Sequence, residues 1–200
     1  MKITAKIAIL PLTIISLLNV TGCQTITDTT SKVGDKALSM VGLARADKTP
    51  EIDKKGIVDI SKTTLEQIEK LKQNMPIGQW VYIENDLQGI YDLQNKAVDG
   101  HMLFLRLNCK NSVQKPSLSI QNAEGSEILN SLQPEVVTIQ VLLDNKNYGN
   151  PFSLANQKKL ATFQTAAQKA KTIKIFHASK LYTFQNGKAE LLNKPVTCMA

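Results

Sequence analysis

The residue types that most often carry acid–base or metal chemistry are few in this chain. The sequence contains two histidines, His101 and His177, and neither belongs to an HxxxH, HExxH or similar ligand-spaced cluster. The acids Asp86, Asp92 and Asp99 lie on predicted turns, and only the fold could bring two of them within the roughly 5–10 Å that paired-carboxylate catalysis needs. There is no nucleophile elbow, phosphate-binding loop or dinucleotide-binding glycine motif. We therefore expect no enzyme activity, no metal site and no cofactor.

Cysteine is the remaining reactive residue type, and the first of the three cysteines follows an apolar stretch. Residues 1–6 contain two lysines and no acid, and residues 7–18 are mostly apolar. This pattern is typical of a secretory signal peptide, and the run is too short to span a bilayer. The stretch ends in Val20-Thr21-Gly22-Cys23. That tetrapeptide resembles the lipobox of bacterial lipoproteins, with Val20 where the family prefers Leu. The resemblance implies that Cys23 is lipidated and becomes the mature N-terminus.

The resemblance also implies a location. Two or three fatty acyl chains, such as palmitate, hold a water-soluble body at a bilayer, whereas a single chain binds only marginally. Gln24 stands where the inner-membrane retention signal of the family would be Asp, which implies an outer-membrane anchor with the body in the periplasm. We expect residues 1–22 to be a signal peptide, residues 23–56 a lipidated tether, and residues 57–200 a periplasmic globular domain.

Lipidation of Cys23 would leave Cys109 and Cys198 as an even pair in an oxidising compartment. We expect a disulfide between them, and the alternative is two free thiols. The bond would close a loop of about 90 residues, for which the chain-entropy model gives about 4–5 kcal/mol of stabilisation. Neither cysteine has metal-ligand spacing or a nearby histidine, so neither zinc binding nor thiol catalysis is expected.

Positive charge is concentrated in the last quarter of the chain. The formal net charge is +7, and residues 151–200 contain eight lysines but a single acid. The lysines that could form a surface for an anionic partner are Lys158, Lys159, Lys169, Lys171 and Lys174. In the periplasm such a surface would favour peptidoglycan, lipid headgroups or an acidic protein face, and the alternative is a solvated lysine-rich surface. Nucleic acid is not an expected partner, because no aromatic residues are interleaved with the lysines to stack on bases.

Two long helices are predicted in the globular domain. Thr63 and Glu66 fit a capping box, and Pro76 forbids helix beyond it. Ser153 could cap the second helix. The apolar stripe of that helix consists of Leu160, Phe163, Ala167 and Ala170. A shorter amphipathic helix is expected within the tether at residues 31–44, where it could pack on the domain, lie on the membrane or bind a partner.

The rest of the domain has the period-two pattern of strands. Strands are predicted at 80–83, 90–93, 102–109, 117–121, 136–143, 173–176 and 181–184. Asn186-Gly187 favours a type I′ hairpin turn with a returning strand at Ala189–Leu192. Strands in consecutive runs indicate an α+β fold, either a mainly antiparallel β-sheet or a two-layer β-sandwich, with two flanking helices after the lipidated tether.

The layout of the tether suggests a class of function. A lipidated cysteine, a polar leash, the amphipathic stretch ALSMVGL (37–43) and the linker PEID (50–53) resemble the outer-membrane lipoproteins of type VI secretion systems. The resemblance covers residues 23–60 and implies a periplasmic protein partner, whereas two long helices depart from the plain sandwich of that family. We expect a structural or interaction component of an envelope complex, such as a type VI secretion accessory. The alternative is an envelope glycan- or lipid-binding module that uses the basic C-terminal surface and an aromatic platform at Trp80.

Overall fold

The period-two hydrophobic pattern forms two sheets in a computed structural model of the chain, which describes residues 48–133, 139–153 and 156–198. Within these ranges the larger sheet has six strands: β1 (Ile57–Asp59), β2 (Trp80–Asn85), β3 (Ile90–Lys96), β4 (Met102–Arg106), β5 (Ser117–Gln121) and β6 (Glu127–Asn130). Strands that follow one another in the chain are neighbours in the sheet. They pair antiparallel except for β1, which runs parallel to β2.

The smaller sheet comes from the C-terminal part of the chain. Among the described residues its strands are β7 (Gln140–Leu143), β8 (Lys146–Asn147), β9 (Thr172–His177) and β10 (Lys180–Gln185). They form the antiparallel order β10-β9-β7-β8. Two-residue turns at Asp144-Asn145 and Ala178-Ser179 join β7 to β8 and β9 to β10, and all four residues have positive φ. Such turns match the right-handed twist of the strands that they connect.

The first helix, α1 (Leu65–Gln73), begins one residue later than predicted. Thr64 is its N-cap: the Thr64 hydroxyl accepts from the Gln67 backbone N–H at 3.3 Å, and the Gln67 side chain accepts from the Thr64 N–H at 3.0 Å. The predicted box of Thr63 and Glu66 is therefore wrong. Two overlapping Thr-x-x-Glu/Gln patterns occur in this stretch, and Glu66 instead forms a 2.8 Å ion pair with Lys70.

The second helix, α2 (Gln157–Ala167), also begins after its predicted cap. Its N-cap is Asn156, whose side chain makes no capping hydrogen bond. Ser153 instead lies in the preceding turn, where its backbone carbonyl accepts from the Asn156 N–H and its hydroxyl accepts from the Asn156 amide at 2.8 Å. The prediction that Ser153 caps the helix is wrong, because turn hydrogen bonds use both of its oxygens.

The predicted hairpin at Asn186-Gly187 is also wrong. Neither residue has positive φ, and residues Ala189–Asn193 form a 3₁₀ helix, η1, in place of a strand. Gly187 instead bridges to the large sheet, because its N–H donates to the Gly78 carbonyl and its carbonyl accepts from the Trp80 N–H. A Cβ atom at Gly187 would lie 2.9 Å from the Gly78 oxygen. Close backbone approach, and not turn formation, explains the glycine.

Two hydrophobic clusters stabilise these elements. The larger contains residues of both sheets and of α2, including Trp80, Leu103, Ile120, Phe163, Ile175 and Phe184. The smaller covers the other face of the large sheet, where Leu71 and Met75 of the α1 region pack with Val81, Ile83 and Phe104. The α+β prediction is confirmed for the described residues, as a β-rich fold with two helices and two open sheets. The predicted tether elements, Cys23 and the 31–44 helix, lie outside those residues.

Candidate functional site

The five lysines predicted to form an anionic-partner surface lie in different surroundings. Lys158 and Lys159, in the first turn of α2, line a cleft of about 670 Å³ that we call the lysine cleft. Its other walls are formed by Gln140, Asn147, Tyr148, Gly149 and Thr162. Lys171 and Lys174 lie beside the β7–β8 turn, where the Lys171 N–H donates to Asp144 and the Lys174 ammonium donates to the Asn145 amide oxygen at 2.7 Å. Lys169 is exposed just beyond α2.

The fold places both histidines on one cleft, although their positions differ by 76 in the sequence. His101 and His177 line one cleft of about 590 Å³, the histidine cleft, at the ends of the β3–β4 and β9–β10 turns. His101 Nδ1 lies 3.0 Å from Asp99 Oδ1, and the His101 ring contacts Tyr182 edge-on at 5.2 Å between centroids. Partial desolvation acts to raise the pKa of Asp99, but hydrogen bonds from His101 outweigh it and lower that pKa.

In the part of the chain that the structure describes, no group of three His, Cys, Asp or Glu side chains is arranged to hold a metal ion. The three acids considered in the sequence analysis do not form a carboxylate pair in the contacts described: Asp86 accepts from the Tyr91 hydroxyl at 2.7 Å. Asp92 lies within strand β3, not on a turn as predicted, and pairs with Arg106 at 3.2 Å. Burial raises the pKa of Asp92, and the Arg106 guanidinium opposes that rise. In these two contacts the acid is paired with a tyrosine or an arginine, so neither contact is a pair of carboxylates.

An apolar groove adjoins the histidine cleft. It has a volume of about 420 Å³, and we call it the β10 groove. Its lining residues are Ile77, Gly78, Ala97, Val98, Asp99, Leu181, Thr183 and Gln185. The side chains of Ile77, Val98 and Leu181 are large, apolar and 55%, 84% and 56% exposed. Asp99 and Leu181 also line the histidine cleft, so the two depressions share a wall.

Strand alternation positions the walls of the β10 groove. Tyr182 and Phe184 point into the core, so Leu181, Thr183 and Gln185 face outward along one side. The opposite wall is fixed by the Gly78 N–H, which donates to the Lys96 carbonyl at 2.8 Å. Strand β10 is an end strand of its sheet as described, and it pairs there with β9 alone. Sequence patterning located these strands but could not show that residues 77–78 and 97–98 meet β10.

The aromatic platform suggested at Trp80 is not available to a ligand. The Trp80 side chain is 0% exposed, and its indole N–H donates to the Asn186 amide oxygen at 2.6 Å. Tyr82 is also buried, and its hydroxyl donates to the Pro195 carbonyl. A buried ring cannot stack on a sugar, so the suggested role of Trp80 is wrong. Both aromatic residues are part of the core instead.

The C-terminal tail is joined to the large sheet near Cys109. The sulfurs of Cys109 and Cys198 lie 2.12 Å apart, at disulfide distance, and their Cα atoms are 5.4 Å apart. Backbone hydrogen bonds on either side support this pairing, since the Val196 N–H donates to the Asn108 carbonyl and the Lys110 N–H donates to the Val196 carbonyl. The predicted 102–109 strand is too long, because β4 ends at Arg106. Cys109 therefore lies beyond β4 and is partly exposed, whereas Cys198 is buried.

A family model, YfjT, matches residues 78–191, a span that includes the lining residues of the lysine cleft and of the histidine cleft. No curated protein matches the chain. No solved structure matches it either. Within the described ranges, no helix has both the length and the hydropathy needed to cross a membrane.

Proposed function

The chain belongs to the YfjT family, and we propose that this member is an outer-membrane-anchored periplasmic lipoprotein that acts as an interaction component of an envelope complex. The lipobox-like Val20–Cys23 supports the anchor, and Gln24 supports the outer membrane. The sulfur contact between Cys109 and Cys198 is compatible with an oxidising compartment. We also propose that the two sheets pack as two layers, and that this domain follows a lipidated tether.

The β10 groove is the observation that supports protein binding best. Large apolar side chains that are more than half exposed are uncommon next to one another on a monomeric protein, and a group of them with a polar rim is typical of a docking surface. Ile77, Val98 and Leu181 form such a group, and Phe176, which pairs with Leu181 across the β9–β10 ladder, extends it. Asp99, His101 and Lys180 supply the rim.

The shape of the groove indicates an extended occupant. Its long wall is formed by alternate residues of β10 from Leu181 to Gln185, a distance of roughly 13 Å at about 3.3 Å per residue. An end strand can also accept a further strand through its free backbone groups. The proposed partner is therefore a periplasmic protein that presents an extended segment of about four or five residues with apolar side chains at alternate positions. Because the layout of residues 23–60 resembles that of type VI secretion lipoproteins, a type VI secretion assembly is the first place to look for this partner.

Photo-crosslinking in cells tests this function. A photoreactive amino acid at Leu181 or Val98 should give the same protein adduct, identified by mass spectrometry. The matched control is Leu87, which is 73% exposed but not among the groove residues. Binding of the purified partner should weaken by about tenfold or more in Leu181→Asp, because a charge then enters an apolar contact. It should change little between low and high salt.

Two results would contradict the proposal. The first is equal crosslinking of one protein from Leu87 and from the groove positions. The second is binding that falls steeply with salt but is unaffected by Leu181→Asp, since that behaviour belongs to lysine-mediated attraction. A Leu65→Asp variant, altered at a side chain that is 81% exposed outside the groove, controls for the added charge.

A further inference from the structure

The lysine cleft has a chemistry that the proposed docking through the β10 groove does not use. We propose that it binds an anionic saccharide, meaning a sugar that carries a carboxylate or phosphate group. A volume of about 670 Å³ lies within the range of small-ligand pockets, roughly 300–1,000 Å³. This inference depends on the proposed periplasmic location only for the choice of sugars to test.

The charges on α2 favour a bound anion. Lys158 and Lys159 lie in the first helical turn, where the partial positive charge of the helix dipole disfavours cations, and no acid occupies that turn. Helix α1 has the favourable arrangement, with Glu66 in its first turn and basic residues in its last. None of the ion pairs in the described residues includes Lys158 or Lys159. A bound anion would offset both unfavourable charges.

The Gln140 side chain of the cleft has a hydrogen-bond donor that the described contacts do not use. The Gln140 amide oxygen accepts from the Asn147 side-chain amide at 2.9 Å, and the Asn147 oxygen accepts from the Gly149 N–H at 2.7 Å. Within the described residues these contacts engage the amide oxygens and leave the Gln140 NH₂ group to donate. With the two ammonium groups, the cleft offers hydrogen-bond donors to a ligand rich in acceptors, such as a carboxylate or phosphate.

Tyr148 gives the lysine cleft an aromatic wall. The Tyr148 ring is partly exposed and packs edge-to-face on Phe163, which is fully buried, with 5.8 Å between centroids. This contact holds the ring in place at the cleft. Lys146 Nζ lies 5.3 Å from the ring centre and adds a further positive charge. A fixed aromatic surface beside cations suits a ligand that has both a sugar ring and an anionic group.

Asp144, the acid nearest in sequence to Asn147 and Tyr148, makes its hydrogen bonds at the β7–β8 turn. Asp144 is the single acid in residues 139–153, and its carboxylate accepts from the Lys171 N–H, the Thr172 N–H and the Thr172 hydroxyl. These hydrogen bonds, led by that of the Lys171 N–H, lower the pKa of Asp144. The carboxylate is therefore engaged at the β7–β8 turn, at the other end of the hairpin from Gln140 and Asn147.

Calorimetric titration of the complete mature chain, residues 23–200 carrying Cys23→Ser to keep it soluble, tests the site. The probes are N-acetylmuramic acid, N-acetylglucosamine 6-phosphate, neutral N-acetylglucosamine and inorganic phosphate. The two charged sugars separate a cell-wall type of carboxylate from a headgroup type of phosphate. At least one should bind about tenfold or more tightly than the neutral sugar and than phosphate alone, because it uses both the lysines and the ring.

The decisive variant is Lys158→Ala/Lys159→Ala, which should weaken the charged sugar by about tenfold or more. The charge-matched control Lys62→Ala/Lys115→Ala removes two lysines outside the cleft and should leave the affinity within about twofold. Tyr148→Leu should weaken the charged sugars but not inorganic phosphate. Leu181→Asp should leave sugar binding unchanged, so loss of the groove function and loss of this site are distinguishable.

The proposal is overturned if the two double variants weaken binding equally, since that result indicates attraction to net charge alone. It is also overturned if inorganic phosphate binds as tightly as either charged sugar, or if none of the sugars binds. Circular dichroism of each variant identifies any loss of folding. If the double lysine variant does not fold, Thr162→Val, which removes a hydroxyl at the exposed rim of the cleft, provides the second test and should weaken the charged sugar.

Discussion

Asn186 and Trp80 are joined by a buried hydrogen bond across 106 residues of chain, in which the indole N–H donates to the amide oxygen at 2.6 Å. The amide nitrogen of Asn186 donates in turn to the carbonyl oxygens of Ala167 and Ala170, each at 2.7 Å. One side chain therefore connects the large sheet, the end of α2 and the end of β10.

Replacing Asn186 by Ala should be strongly destabilising. The substitution leaves the indole N–H and two carbonyl groups buried without their partner, and we expect the free energy of unfolding to fall by about 3–5 kcal/mol. Urea unfolding measures this loss. The control is Asn111→Ala, at an exposed turn, which should cost less than about 1 kcal/mol. Similar losses in the two variants would contradict the structural role of Asn186.

Reduction of the Cys109–Cys198 pair should destabilise the folded chain. The pair closes a loop with a sequence separation of 89, and the chain-entropy model gives a loss of about 4–5 kcal/mol on opening it. Urea unfolding with and without reductant measures the difference. A Cys109→Ser/Cys198→Ser variant should unfold at the same urea concentration in both conditions. If reductant has no effect on the unmodified chain, the pair is not a disulfide in solution.

Removing the guanidinium beside Asp92 should have a pH-dependent cost. Both side chains of the Asp92–Arg106 pair are largely buried, so Arg106→Met should cost about 3–5 kcal/mol at pH 7 by leaving an unpaired carboxylate. Burial raises the pKa of Asp92, so its unfavourable ionisation develops as the pH rises through that pKa. The cost of Arg106→Met should therefore decrease toward acidic pH, where Asp92 is protonated both in the unmodified chain and in the variant.

Urea unfolding between pH 3 and pH 7 measures this dependence. Asp92→Leu/Arg106→Met should regain most of the stability at pH 7, because no buried charge remains. Glu66→Gln, which breaks the exposed Glu66–Lys70 pair, should change the urea midpoint far less than Arg106→Met does, because both side chains of that pair are exposed to solvent. A cost of Arg106→Met that stays constant from pH 3 to pH 7 would be inconsistent with an ionised Asp92.

Two adjacent threonines distinguish the cap of α1. Thr64→Ala should cost about 1 kcal/mol, because it removes the acceptor for the Gln67 N–H. Thr63→Ala should cost less, because Thr63 precedes the cap and its contact there is made by the backbone N–H to the Ile60 carbonyl. Helix content and urea midpoints measure both. A larger loss for Thr63→Ala would restore the cap predicted from the sequence.

Periodicity predicted strands that bury alternate residues, such as β10, because burial on one face leaves a regular pattern. The two-residue strand β8 and the three-residue strand β1 are too short to show a period. The Ala178-Ser179 turn was missed because these residue types rarely adopt positive φ. Asn186-Gly187 was misassigned because composition shows only that a turn is possible, and not that the asparagine side chain is buried.

Composition indicated which lysines could form a charged surface, but it could not show that the fold divides them among separate surroundings. That division depends on the path of the β7–β8 hairpin. His101 and His177 line one cleft, and Ile77 and Leu181 line one groove, through long-range chain placement that local sequence cannot encode. The pairing of Cys109 with Cys198 was predicted by counting, since lipidation of Cys23 would leave two cysteines.

The proposed location depends on the attachment of fatty acids to Cys23, and the proposed class of partner depends on that location. Intact-mass and peptide mass spectrometry of the chain purified from its own membranes tests this attachment most directly. We predict a mature chain that begins at Cys23 and carries two or three acyl groups, whereas a Cys23→Ala chain should keep its leader and carry none. An unmodified Cys23, or residues 1–22 still present on the mature protein, would contradict the lipid anchor and the envelope function that we propose.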